Sequence, residues 1–328
     1  MSDSLEKAKK IVADAETGGR NLEGITLKIV LCIAFTWSLF QLYVASTIPF
    51  FLSEQTGLKL VFNNQETRQI HLAFALCLAM LAFPINRYAA KSKIPVYDFV
   101  LAGLGAFVCI YLLINKSSIS DRAGLPTPMD LLVSATGLLL LAIAVYRSLG
   151  LPLVIVASVF VAYVFFGDSP NLPEVVQWKG ASLGKALWHY WMQTEGVFGV
   201  ALGVAASMIF LFVLFGALLE KAGAGNYFIQ LAFSTLGHLR GGPAKAAVVA
   251  SAASGLYSGS SIANVVTTGT FTIPLMKKTG FSPERAGAVE VASSTNGQLM
   301  PPVMGAAAFL ISEFTRNVEN ISSNASLW

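Results

Sequence analysis

Charge is what this sequence has least of. Asp, Glu, Lys and Arg make up 12% of its 328 residues, while 55% are hydrophobic; ordinary soluble domains carry about 25% charged residues. So few charges cannot cover a soluble surface, which excludes a soluble globular protein and requires lipid over part of the molecule. The positive excess is only +4 and comes from loops, so it gives no signal for nucleic acid. Cysteine is nearly absent. Cys32, Cys77 and Cys109 each lie inside an apolar run and are predicted to be buried free thiols, not a disulfide framework. His71, His189 and His238 are far apart with no Cys or acidic cluster beside them, so zinc-ligand spacing is missing and each His reads as structural or interfacial.

What the chain does have is long uncharged runs, at 29–53, 69–86, 99–115, 131–146, 148–167 and 196–219. A membrane helix needs about 20 mostly apolar residues, with roughly 17 as the short limit. Six spans are predicted, with Asp98, Asp130 and Arg147 snorkelling to the interface at the ends of the shorter ones. Residues 1–24 carry both signs of charge and read as a cytoplasmic tail, not a signal peptide. The side of the membrane holding the tail collects twelve Lys and Arg residues, among them Arg87, Lys91, Lys93 and Arg147, against six on the other. The bias predicts a cytoplasmic N-terminus. After residue 167 come Pro and Gly breaks and then Trp178, Trp188, Tyr190 and Trp191. Such aromatic density predicts an interfacial helix near 182–194, with an ordinary loop as the rival reading. Gly196, Gly199 and Gly203 predict a packing face on the sixth span.

Two later runs are long enough to cross but have the wrong composition. Residues 246–276 carry no charge, yet hold ten Ser, Thr and Asn side chains and Gly255, Gly259 and Gly269. As one helix they would span about 46 Å, well beyond a hydrocarbon core of roughly 30 Å. Ser258-Gly259-Ser260-Ser261 breaks helix propensity in the middle. A re-entrant hairpin over 244–276 follows, with its tip at 258–261 and its second arm ended by Pro274 and Lys277–Lys278. The run 291–312 contains Asn296-Gly297-Gln298 and then Pro301-Pro302, which remove two backbone donors. It predicts a helix from about 283 to 295, unwound chain at 296–302, and a helix from about 303 to 314. Non-helical backbone at membrane depth is tolerated only inside protein or against a water-filled cavity. Two polar breaks therefore imply an intramembrane site where oxygens replace the hydration shell of a small cation and free N–H groups meet an anionic group. Ser/Thr/Gly helix packing is the alternative. Glu290, five residues after Arg285, reads as half of a polar pair or as a coupling group.

The stretches GVFGVALGVAASMIFLFVLFGALLEKAGAG, GGPAKAAVVASAASGLYSGSSIANVVTTGTFTIPLMKKTGF and AGAVEVASSTNGQLMPPVMGAAAFLISEF resemble the large membrane subunit of TRAP transporters, the fused permease that works with TAXI-type binding proteins above all. The signature SGSSIANVVTTGTFTIPLMKK with STNGQLMPPVMGAAAF is specific, and the upstream spans resemble the small subunit fused in front. The resemblance implies an all-α polytopic membrane bundle with a re-entrant hairpin and a discontinuous helix, half of an elevator-type transporter. It implies a tail at 1–24, scaffold spans at 25–167, a loop with interfacial helix at 168–195, and the start of a transport module at 196–328. It further implies a bacterial or archaeal inner-membrane location, a TAXI-type extracytoplasmic solute-binding protein as partner, a small carboxylate solute, Na⁺ or H⁺ as coupling ion and no other cofactor.

Carried over to this chain, the hairpin tip matches Ser258, Gly259, Ser260, Ser261 and Asn264, and the unwound helix matches Asn296, Gly297, Gln298, Pro301 and Pro302. Na⁺ would be held by Ser260 and Asn264, with Gly259 and Gly297 allowing close backbone approach; Asn296 stands where the family pattern has Gly. A non-transporting scaffold subunit, or an inactive fragment of the permease, is the second reading. An intramembrane serine hydrolase is the third, and it lacks a base near the Ser-Gly-Ser-Ser loop. Because the family's site needs two halves and no second Ser-Gly-rich hairpin is present, the resemblance also predicts that the 328 residues are the front part of a longer permease.

Overall fold

The computed structural model describes residues 19–85, 93–122, 124–170, 173–301 and 303–325, and all regular structure among them is helical. Most of the predicted tail, most of the loop at 86–97 and Pro302 lie outside the described residues. The chain divides into two compact units, Gly18–Ala206 and, through the rest of the described residues, Ser207–Trp328. Among the described residues four helices are long and apolar enough to cross a membrane: Gly24–Ala45, Val96–Ile114, Pro128–Leu149 and Val200–Lys221.

In the first unit, α1 (Gly24–Ala45) is followed by α2 (Ile48–Thr56), so the first uncharged run is two helices and not one span. The cause is Pro49. Its ring cannot share a helix with the carbonyl four residues back, which belongs to Ala45, and the backbone turns extended at Ser46. Helix α3 (Asn64–Ala82) starts in a capping box. Asn63 Oδ1 accepts from the Glu66 amide at 2.8 Å, and Glu66 Oε2 accepts from the Asn63 amide at 2.9 Å. It is less apolar than the spanning helices because Gln69 and His71 lie on its buried side, His71 against Gln41 and Trp37 of α1. α4 (Val96–Ile114), α5 (Lys116–Asp121), α6 (Pro128–Leu149) and α7 (Leu151–Phe166) follow. α7 buries none of its residues and exposes Leu153, Ile155, Val159 and Phe160. An apolar helix bare on every side is a helix that lipid covers.

The predicted snorkelling does not occur. Asp98 and Asp130 are fully buried and Arg147 is 8% exposed. Asp98 sits between two guanidinium groups, Arg147 at 2.8 Å and Arg20 in direct contact. Asp130 receives Arg122 through two bonds of 2.9 and 3.1 Å, Tyr111 at 2.8 Å, and the Thr127 amide and hydroxyl at the start of α6. Each charge stays inside because opposite charge and donors replace its water shell.

The interfacial helix is also reassigned. α8 (Leu183–Leu187) runs into a π turn at Trp188–Met192. Trp188 and Trp191 are 5% and 0% exposed and belong to the core with Leu76, Met80, Val108 and Phe198. Trp191 lies flat on Gly137, where a Cβ would come within 2.3 Å of its ring, and meets Phe198 edge to face at 5.3 Å. Trp191 fills a slot in α6 at Gly137. Gly196 and Gly199 precede α9 (Val200–Lys221) in a tight turn, and only Gly203 lies on that helix, beneath the guanidinium of Arg68. Cys109 is buried and Cys77 half-buried, whereas Cys32 is exposed on α1.

Candidate functional site

The second unit contains the two polar runs. After α10 (Ala224–Leu236) comes α11 (Gly242–Ser254), which breaks at Gly255. Residues 255–260 are turn and irregular chain, and α12 (Ser261–Lys278) starts at the predicted tip. The arms are about 20 and 27 Å long. α12 passes through Pro274 and ends at Lys278, so the lysines mark the end and the proline does not. α13 (Pro283–Ser294) is capped by Ser282, whose hydroxyl accepts from the Arg285 amide. It gives way to a 3₁₀ turn at Thr295–Gln298 and to turns through Met300 and Pro301. α14 (Ala306–Ala325) starts three residues later than expected and continues past 314, because a polar composition does not stop a helix without a proline or glycine.

The breaks meet backbone on backbone. A Cβ on Gly255 would stand 2.8 Å from Gly297 Cα, and one on Gly297 would stand 3.2 Å from Asn264 Nδ2 and from the Ser258 carbonyl oxygen. Gly259 lies under the Met304 carbonyl, 2.0 Å from where a Cβ would be, and Met304 itself is held at φ 44°. Gln298 Nε2 donates to Ser261 Oγ at 3.0 Å. Ser258, Gly259, Ser261, Asn264, Gly297 and Gln298 are therefore in one place. Ser260 is half-buried at the tip, and its carbonyl starts α12 by accepting the Asn264 amide. Asn296 and Pro301 are exposed. The Asn296 carbonyl accepts from the amides of Leu299 and Met300 and closes the turn.

Asn264 is 1% exposed and donates from Nδ2 to the Ser251 carbonyl at 2.9 Å and to Ser251 Oγ at 3.2 Å. A carbonyl can only accept, so the amide nitrogen must face it. Oδ1 is then the atom left over, buried and without a hydrogen-bond partner among the described residues. An orphaned buried oxygen costs stability unless it receives a donor or a cation.

Deeper in the unit is a constellation that the sequence reading listed only in part. Asn264, Thr268 and Thr272 are spaced by four and share one face of α12, as Glu290 and Ser294 do on α13. Thr268 and Thr272 both contact the Glu290 carboxyl, the latter at 2.5 Å from Oε2, and Ser294 Oγ donates to Oε1 at 3.4 Å. Ser251 Oγ meets Ser294 Oγ at 3.1 Å. The four-residue spacing of the threonines was the available signal. The pairing of Glu290 with Arg285 is not formed. Arg285 is exposed, Glu290 is 0% exposed, and no ion pair joins them among the described residues. Five residues turn a helix through about 500°, which leaves the two side chains roughly 140° apart.

Residues 136–325 match the family described as "Tripartite ATP-independent periplasmic transporter, DctM component". Over 91 residues the chain is 38% identical to the C4-dicarboxylate TRAP transporter large permease protein DctM of Vibrio cholerae and 36% identical to that of Rhodobacter capsulatus. It is 34% identical to the uncharacterized protein YgiK of Salmonella typhimurium. Each match covers 28% of this chain, and the chain spans about a fifth of the length of these relatives, 20% or 21%. No solved structure matches. The family match takes in more than half of the chain, including the hairpin, the 3₁₀ turn and the helices around them, and the chain belongs to the DctM component family of TRAP transporters, which are multi-pass membrane permeases.

Proposed function

We propose that this chain is the permease part of a binding-protein-dependent secondary transporter that takes up a small carboxylate-bearing solute with a coupling ion, Na⁺ or H⁺. A TAXI-type extracytoplasmic binding protein delivers the solute to the cytoplasmic membrane of a bacterium or archaeon, and the N-terminus faces the cytoplasm. The carrying observation is the tip itself. Backbone from Gly255 and Ser258 meets Gly297 closely enough that glycine is needed, beside an Asn264 Oδ1 with no partner. Oxygens at this tip suit a cation: the Ser258 carbonyl faces Gly297, Asn264 Oδ1 has no hydrogen-bond partner among the described residues, and Ser260 immediately precedes α12, while Gly259 and Gly297 keep side chains out. The names of two relatives, which specify C4-dicarboxylates, support a carboxylate solute. Movement is of the elevator kind, the hairpin-bearing part carrying its load across.

The test is uptake of labelled mono- and dicarboxylates into proteoliposomes holding the chain, with its binding protein outside, under separate Na⁺ and H⁺ gradients. Ser260→Ala and Asn264→Ala are expected to weaken ion dependence before they harm expression, by about 1–3 kcal/mol per lost ligand. Unchanged ion dependence in both variants returns the tip to a packing role, and absence of uptake under every gradient favours a scaffold or an inactive fragment of the permease.

A further inference from the structure

We propose that Glu290 is the proton-binding group of this permease: its carboxylate takes one proton from the outer water before the hairpin unit crosses, and releases it to the cytoplasm afterwards. This rests on the transport reading above and deepens it by naming H⁺ as the coupling ion.

Glu290 is 0% exposed, and its two oxygens are met by hydroxyl groups only: Thr268 and Ser294 at Oε1, and Thr272 at Oε2. Among the described residues no cation contacts it. α13 packs against α11, α12 and the 3₁₀ turn. The charged residues on these elements are Lys245 on α11, Lys277 and Lys278 on α12, and none on the turn; α13 itself adds Glu284 and Arg285. All five are exposed, and none forms an ion pair with Glu290 among the described residues. Contact with Thr272 at 2.5 Å is the length of a short O–H···O bond and leaves no room for a metal ion between the two oxygens. A proton needs no room.

The surrounding hydroxyl groups can serve both protonation states without moving a heavy atom. Thr268 Oγ1 also lies 2.8 Å from the Asn264 carbonyl, and Thr272 Oγ1 lies 3.0 Å from the Thr268 carbonyl. A hydroxyl has one proton and donates to one acceptor at a time. When Glu290 is ionised, both threonines donate to it. When it is protonated, it donates to one threonine oxygen, and that hydroxyl turns its own proton to the backbone carbonyl. The switch is a bond rotation. Gly269 makes the close approach possible, since a Cβ there would stand 3.1 Å from Glu290 Cγ.

The carboxyl is also wired to the tip. Asn264 Nδ2 donates to Ser251 Oγ, Ser251 Oγ can donate to Ser294 Oγ, and Ser294 Oγ donates to Glu290 Oε1, so every bond in the chain points its proton at the carboxylate. An event that changes the partners of Asn264 is felt two serines later at Glu290. An unpaired buried carboxylate is expensive to carry through lipid, and its protonated form is not. Crossing with the proton on is therefore favoured, and that difference is what couples the two.

Two measurements test this. In infrared difference spectra of the purified chain titrated with acid, the wild type should gain a protonated-carboxyl band that Glu290→Gln lacks and Glu290→Asp restores. Thr272→Val should change the pH at which the band appears, while Glu284→Gln on the exposed face of α13 should not. In proteoliposomes with the binding protein, the ratio of carboxylate uptake with and without an inward proton gradient, at equal Na⁺ on both sides, should exceed one and should fall to one in Glu290→Gln. Identical carboxyl bands in wild type and Glu290→Gln, a proton-gradient ratio that survives in Glu290→Gln, or uptake that follows Na⁺ alone overturns the proposal. No uptake under any gradient defeats the transport reading instead, and the infrared titration then still decides whether Glu290 binds the proton.

Discussion

Four glycines allow the tip geometry to be tested by a graded series of single methyl groups. None of Gly255, Gly259, Gly287 and Gly297 has a positive φ, so backbone strain does not enter. At Gly259 the new Cβ would lie 2.0 Å from the Met304 carbonyl oxygen, at Gly255 2.8 Å from Gly297 Cα, and at Gly297 3.2 Å from Asn264 Nδ2, while Gly287 on α13 has nothing within 4 Å. The first overlap is roughly 1 Å or more inside van der Waals contact, and the group it meets is backbone. Gly259→Ala should therefore cost about 3 kcal/mol, Gly255→Ala about 2 and Gly297→Ala about 1, spread over the usual range for overpacking. Gly287→Ala should go the other way and stabilise by about 0.5–1 kcal/mol, the ordinary gain for replacing glycine inside a helix. Thermal unfolding of the purified variants in detergent reads the order directly. If Gly259→Ala is as stable as Gly287→Ala, then the hairpin tip and the chain at Met304 are not in contact, and the site built on that contact is wrong.

Two further outcomes follow from the first unit. Asp98→Asn leaves Arg20 and Arg147, 1% and 0% exposed in their side chains, with a buried positive charge and no carboxylate; it should destabilise by about 3–5 kcal/mol, and a loss under 0.5 kcal/mol in detergent unfolding contradicts the buried cluster. For orientation, the Lys/Arg bias places residue 92 in the cytoplasm and residue 120 outside. In a background without Cys32, Cys77 and Cys109, Ser120→Cys should react with an impermeant thiol reagent in whole cells and Ser92→Cys should not, and the reverse pattern inverts the topology.

The sequence announced the hairpin and the broken helix because both are local. Ser258-Gly259-Ser260-Ser261 sits in a run too long for one span, and Asn296-Gly297-Gln298 precedes two prolines, so chain length and propensity are enough to place the breaks. What it did not announce depends on residues far apart in the chain. Asp98 and Arg147 read as interface anchors because they flank apolar runs; they are instead each other's partners across 49 positions, and Arg20 joins from 78 away. Trp191 read as a headgroup anchor because it stands in an aromatic-dense stretch, and it packs into the slot at Gly137, which composition does not reveal. The split of the first run at Pro49 was legible and lost only because counting uncharged residues ignores proline. The threonine face of α12 was legible as well, once Asn264, Thr268 and Thr272 are counted in fours and not as a pool of hydroxyls.

The buried acids separate structure from function by the company they keep. Asp98 holds two arginines, Asp130 holds Arg122, and Glu66 holds Lys59 and Lys116 at 3.3 and 3.1 Å. Each of these acids has a cation in contact that replaces the water shell of its carboxylate. They tie helices together, and a neutral replacement strands the cation. Glu290 is as deeply buried and has no such partner; its neighbours are hydroxyl groups that can donate or accept. A site selected only for packing would not need donors and acceptors in one, since an apolar side chain of similar size fills the same volume at less cost. Groups that satisfy a carboxyl in both of its forms are required only where both forms occur during work. Neutralising Asp98 should thus destabilise the protein by stranding two arginines, and neutralising Glu290 should spare the fold and remove the carboxyl band, so the two substitutions must separate in stability if the difference in company is the cause.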